Sequence, residues 1–121
     1  MERKMERADI AIIGTGPGGV SAALTAKVRN KNILLIGKKQ MSDKVSKAHQ
    51  IMNYPGLPAV TGADMAKAFE KQLAMMEINI TDSRIGTVYA MGDYFAIQAG
   101  GEVLEAKSVI LACGVVSGKT L

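Results

Sequence analysis

The 121-residue sequence predicts a three-layer α/β domain, with a four-stranded parallel sheet, helices packed on it and an antiparallel three-stranded meander. Three observations predict it. Ala8–Ile13 (ADIAII) is a short apolar run that stops at the glycine-rich turn Gly14-Thr15-Gly16-Pro17-Gly18-Gly19. A helix-forming stretch and a second apolar run follow within about thirty residues, the size of a βαβ crossover. Further on, three β-prone runs are separated by Gly92-Asp93 and Gly100-Gly101, as hairpin turns would separate them.

Each element has its own justification. Ala8–Ile13 reads as a parallel strand buried on both faces, because it is apolar without alternation. Residues 20–29 carry Ala22, Ala23, Leu24 and Ala26, small side chains that let a helix lie close to a sheet. Asn30-Lys31 is a turn, and residues 32–36 (NILLI) form a second buried strand ended by Gly37. Residues 38–60 form a long polar connection containing Pro55, Gly56 and Pro58; loops of this length usually have a function. Thr61 caps the next helix, with Asp64 three residues later. Met65, Phe69, Leu73 and Met76 give that helix one core-facing stripe. The third parallel strand is expected at residues 78–80 and the meander at 85–90, 94–98 and 102–106. A fourth parallel strand is expected at 108–112 (SVILA), ended by Gly114. Residues 1–7 form a charged tail, and residues 8–121 the domain.

Composition narrows the function classes. Hydrophobic residues at 48% and charged residues at 21% are ordinary globular usage. The net charge of +4 is spread along the chain, and 4% aromatics with no Trp give little to stack on bases, so no nucleic acid is expected as a partner. The single cysteine, Cys113, allows neither an internal disulfide nor a cysteine-based metal cluster. The amino terminus has no apolar core of a secretory signal, and no run approaches a membrane span. The expectation is a cytoplasmic protein with no membrane partner and no metal.

The glycine turn carries the chemistry. Gly14 permits a tight exit from the strand, Gly16 lets backbone approach a pyrophosphate, and Gly19 lets helix and strand pack closely. Pro17 and Gly18 open a helix whose free N–H groups and positive dipole end face the anion. A strand before the turn, and a helix and strand after it, give the context of a Rossmann-like dinucleotide site. The end of the second strand, where an acid usually binds a ribose hydroxyl, carries Gly37 followed by Lys38 and Lys39. On spacing alone FAD and NADP are rivals: the two lysines could neutralise the 2′-phosphate of NADP, or be solvated loop residues.

Beyond the turn, the chain holds Leu34-Leu35-Ile36-Gly37, Asn53-Tyr54-Pro55-Gly56-Leu57-Pro58, Thr61-Gly62 and Val109-Ile110-Leu111-Ala112-Cys113-Gly114. With these motifs it resembles the amino-terminal half of the FAD domain of low-molecular-weight thioredoxin reductases, from Ala8 onward. The resemblance implies FAD as cofactor, an FAD-dependent disulfide oxidoreductase as the complete enzyme and a thioredoxin-like protein as acceptor. Some members of that family have glycine at the end of the second strand, as Gly37 is here. The resemblance also implies Asn53 beside the flavin ring, Arg84 and Ile85 near the adenine, and Ala112-Cys113-Gly114 at the family's A-T-G turn. Ser42-Asp43-Lys44-Val45 stands where the family has a G-G-Q loop near the flavin, which bears on the electron donor. The family's C-x-x-C pair, NADPH domain and closing segment fall after Leu121, so the chain is expected to be truncated, inactive alone and a homodimer covering its apolar surface. The alternative is a stand-alone nucleotide-binding module. No catalytic residue is assigned. Cys113 is expected to be a small buried hydrophobe and His49 a solvated loop residue.

Overall fold

The computed structural model describes residues 6–39 and 48–114. The 42–45 segment therefore lies outside the described residues. The element order is β1 (Ala8–Ile13), α1 (Pro17–Val28), β2 (Ile33–Gly37), α2 (Gly62–Met75), β3 (Ile80–Asp82), β4 (Ile85–Ala90), β5 (Phe95–Ala99) and β6 (Glu102–Leu111). The strands form one six-stranded sheet in the order β3-β2-β1-β6-β5-β4. β3, β2, β1 and the end of β6 run parallel; β4, β5 and the start of β6 run antiparallel.

The two faces of the parallel part bury different partners. Ile12 and Leu35 point to one side and pack with Val20 and Ala23 of α1 and Met65, Phe69 and Leu73 of α2. Ala11 and Ile36, one residue out of phase, point to the other side and pack with Ile97 and Val88 of the meander. Helices, parallel strands and meander are thus the three layers. α1 lies close to the strands because it buries Gly19, Val20, Ala23 and Ala26, all small or β-branched.

Three departures from the sequence reading exceed one residue, the other bounds shifting by one at most. α1 starts at Pro17 rather than at 20, because proline at the first helical position needs no N–H partner. β3 starts at Ile80, two residues late. The reason is the end of α2: Glu77 takes a left-handed φ of 57°, its N–H reaches the Ala74 carbonyl, and the Ile78 N–H reaches Leu73. That is a Schellman cap, and Ile78 is its buried apolar residue rather than the start of a strand. Asn30 ends α1 in the same way. Most consequentially, the expected strands 102–106 and 108–112 are one ten-residue strand, β6. Ala106 pairs with Phe95 on one side and Ala8 on the other, so the chain passes from meander to parallel sheet without a turn.

The far end of the sheet is held electrostatically. Arg7, assigned by sequence to the tail, pairs with Glu105 at 2.7 Å and lies 3.7 Å from the Tyr94 ring centroid. The Glu105 hydrogen bond raises the Arg7 pKa above its usual value. The Asn32 N–H, with Lys107 nearby, holds the Asp9 carboxyl below the usual carboxylate range.

Ile97 has no exposed surface and joins the meander to Ala11 and Ile36. Ile97→Ala is expected to destabilise the chain by about 2–5 kcal/mol, measured by urea unfolding. A loss within ~0.5 kcal/mol would mean that the meander does not depend on this contact.

Candidate functional site

The site is built where the chain leaves β1 toward β2 on one side and later returns as β6 on the other. In open α/β sheets such a switch point, at the carboxyl ends of the strands, is where ligands bind. Three strand ends meet there. The Gly14 N–H donates to the Ile36 carbonyl of β2 at 2.9 Å, and the Ala112 N–H donates to the Ile13 carbonyl at 2.7 Å.

The glycines divide by what a side chain would meet. Gly14 has φ +123°, and a Cβ on it would stand 1.9 Å from the Ala112 carbonyl oxygen. A Cβ on Gly19 would stand 1.8 Å from the Gly14 carbonyl oxygen. These two glycines are demanded by the fold itself. Gly16 is different: its φ of −79° suits any residue, and nothing lies within 4 Å of its would-be Cβ. Gly18 is exposed, with only the Ala112 methyl near. Gly16 and Gly18 therefore border open space at the amino end of α1. That end has no side-chain cap and no acidic residue in its first turn, and Pro17 occupies its first position. An uncapped helix start, without a repelling charge and with glycine leaving room above it, fits a pyrophosphate.

The other predicted residues fall around this centre. Gly37 ends β2, pairs with Asp82 of β3 and accepts a hydrogen bond from the Ser83 N–H at 3.3 Å. Arg84 and Ile85 follow Ser83 directly in the chain, where β4 begins. Arg84 is exposed and its carbonyl receives the Gly100 N–H; Ile85 is half-buried against the meander-side core. Lys38 and Lys39 are exposed, and Lys39 shares a small hollow with Thr15. Gly114, exposed with φ +68°, follows the Ala112 turn. Asn53 stands apart. It is exposed on a loop closed by the Ile51–Val60 and Tyr54–Leu57 bridges, and makes no hydrogen bond to the glycine turn among the described residues. Tyr54 anchors that loop by packing on Phe69 of α2, with ring centroids 5.4 Å apart.

Cys113 corrects the sequence reading. It is exposed rather than buried, and among the described residues its thiol makes only a long 3.8 Å contact to the Ile13 carbonyl. Pairing of β6 with β1 ends at Leu111, itself 71% exposed, so the residues that follow have no second layer over them among the described residues. Sequence reasoning missed Thr15, whose hydroxyl donates to the Lys38 carbonyl at 2.7 Å and ties the turn to the end of β2. The available signal was a hydroxyl residue in the turn and a glycine ending the next strand. His49 is exposed, and the described residues hold no cluster of metal-ligating side chains. No described helix is long and apolar enough to cross a membrane.

Comparison with known proteins gives concordant matches. The family model described as pyridine nucleotide-disulphide oxidoreductase matches residues 8–121. A thioredoxin reductase of Helicobacter pylori is 37% identical over 109 residues, 88% of this chain and 35% of its own length. The crystal structure of a ferredoxin-flavin thioredoxin reductase from Clostridium acetobutylicum superposes with a TM-score of 0.91 at 44% identity. It covers 97% of this chain, which spans 41% of that one. A thioredoxin reductase from Lactococcus lactis superposes with a TM-score of 0.85 at 25% identity, over 93% of this chain and 37% of its own. The chain thus spans roughly two fifths of the length of these relatives.

Two substitutions separate the roles of the glycines. Gly19→Ala places a methyl against backbone and is expected to unfold the chain or lower its thermal midpoint by several degrees. Gly16→Val is expected to leave the midpoint nearly unchanged and to abolish nucleotide binding. A folded Gly16→Val chain that binds nucleotide normally would place the site elsewhere.

Proposed function

The chain belongs to the pyridine nucleotide-disulphide oxidoreductase family, and on that premise we propose that it is the FAD-binding portion of a thioredoxin reductase-like flavoprotein. The observation that carries this reading is the open space over Gly16 at an uncapped helix start, set at the switch point between β1 and β6. Gly16–Gly19 would hold the pyrophosphate. Gly37, Lys38 and Lys39 would flank the adenosine ribose, Arg84 and Ile85 the adenine, and Ala112-Cys113-Gly114 the nucleotide's other side. Asn53 would reach the flavin ring. FAD, when bound, supplies the electron carrier between a reduced donor and a protein disulfide; the chain's own residues bind and orient it. The acceptor is a thioredoxin-like protein, and the setting is the cytoplasm.

One observation favours a second reading of the donor. Identity is 44% to the protein described as a ferredoxin-flavin thioredoxin reductase and 37% to the Helicobacter pylori thioredoxin reductase. A reduced ferredoxin-like protein is therefore a donor to set against NADPH.

Reduction of a disulfide through an internal dithiol needs two thiols, one to attack and one to resolve the mixed disulfide. The 121-residue chain has one. With FAD added, the purified chain is expected to retain flavin absorption after gel filtration. It is not expected to release thiols continuously from a thioredoxin-like acceptor, with NADPH or with reduced ferredoxin. Sustained turnover that disappears in Cys113→Ser would overturn this, and a colourless chain would overturn the FAD reading.

Self-association is also expected. Leu111, the last residue of β6, is 71% exposed on the part of the strand that pairs only with β1 among the described residues. A second copy would cover this surface. Light scattering should give the mass of two chains; a strict monomer at high concentration contradicts it.

A further inference from the structure

Thr15 and Pro17 are the two residues of the glycine turn with side chains, and the Thr15 side chain lies over the end of β2. A Cβ built on Gly37 would stand 2.8 Å from Thr15 Cγ2 and 3.1 Å from Thr15 Oγ1. The backbone at Gly37, with φ +159°, is at the edge of what a residue with a side chain adopts. In dinucleotide folds the end of this strand is where an acidic side chain accepts a hydrogen bond from the ribose. Here an acid would crowd Thr15, whose methyl stands within 3 Å of where its Cβ would be, so one of the two side chains would have to shift. The Thr15 hydroxyl donates to the Lys38 carbonyl at 2.7 Å, which leaves its oxygen lone pairs able to accept.

Resting on the reading of the turn as an FAD site, we propose that Thr15 and Gly37 form one recognition unit, in which Thr15 takes the place of the ribose-binding acid. Thr15 acts as a positioning and specificity residue. Its link to Lys38 fixes the chain as it leaves β2, and its hydroxyl oxygen offers the ribose a neutral acceptor in place of a carboxylate. Gly37 is the necessary partner, since any side chain there would displace Thr15. An acid restored at position 37 should therefore work only when Thr15 is removed with it.

The test is a double-mutant cycle on the full chain, read as the thermal midpoint without nucleotide and as FAD affinity by flavin fluorescence. Gly37→Glu is expected to lower the midpoint and weaken FAD more than about tenfold, a loss of ~1.4 kcal/mol. Adding Thr15→Gly should recover at least half of the lost midpoint and bring FAD affinity back to within roughly threefold of the parent, because the Glu carboxylate can then reach the ribose. Thr15→Ser should bind FAD like the parent, whereas Thr15→Val, which keeps shape without the hydroxyl, should bind it about tenfold more weakly. Effects that simply add, or a Gly37→Glu chain as stable and as tight as the parent, would overturn the proposal. A parent chain that takes up no FAD would instead overturn the underlying reading, and the midpoints would still decide whether the two residues are coupled.

Discussion

The contact on which the rest of the structure depends is the approach of Gly14 to Ala112. Two backbones meet there so closely that a single methyl on Gly14 would overlap the Ala112 carbonyl. This proximity sets the separation of β1 and β6 at the end where the glycine turn lies. It also sets the sharp turn that aims α1 back across the sheet, which the second close approach, Gly19 on the Gly14 carbonyl, completes. The fold thus needs its first and last glycines for packing. The middle ones, Gly16 and Gly18, border open space, so the protein's own packing does not demand them.

The layers follow from strand phase. In β1 and β2 successive residues feed opposite cores, with Ile12 and Leu35 on the helical side and Ala11 and Ile36 on the meander side. Both faces are covered, which is why these strands read as apolar runs without alternation, Asp9 near the start of β1 excepted. The meander closes the second face as a continuation of the same sheet, because β6 belongs to both layers. Helix and meander therefore bear on β1 from opposite sides, and the glycine turn at its end is held by both.

Much of this was legible in the sequence because the signals were local. The bounds of β1, set by an apolar run against Gly14, match the structure, as does the Thr61 cap, whose hydroxyl accepts from the Asp64 N–H at 3.1 Å. What escaped was non-local or chemically inconspicuous. Glu77 in a left-handed cap carries no glycine to advertise it, so Ile78 passed for a strand residue. Lys107 fell between two expected strands, whereas one long strand crossing between layers carries it. Cys113 passed for core because a free cysteine is commonly a small buried hydrophobe, yet it and Leu111, two residues before it, are exposed. Thr15 was invisible as a site residue because its meaning comes from Gly37 and Lys38, twenty-two and twenty-three positions away in sequence and adjacent in space.

The place of β6 has a consequence for how the chain comes into being. Its partner β1 lies far back in the sequence, as the Arg7–Glu105 pair at a separation of 98 residues shows. During synthesis β1, α1 and β2 emerge first, and β1 then waits with one edge unpaired until almost the last described residues appear. Contacts of such long range slow folding, and an unpaired strand edge is exposed meanwhile. The nascent protein is therefore most vulnerable to wrong pairing between the emergence of β1 and that of β6, whose arrival ends the exposure of that strand edge.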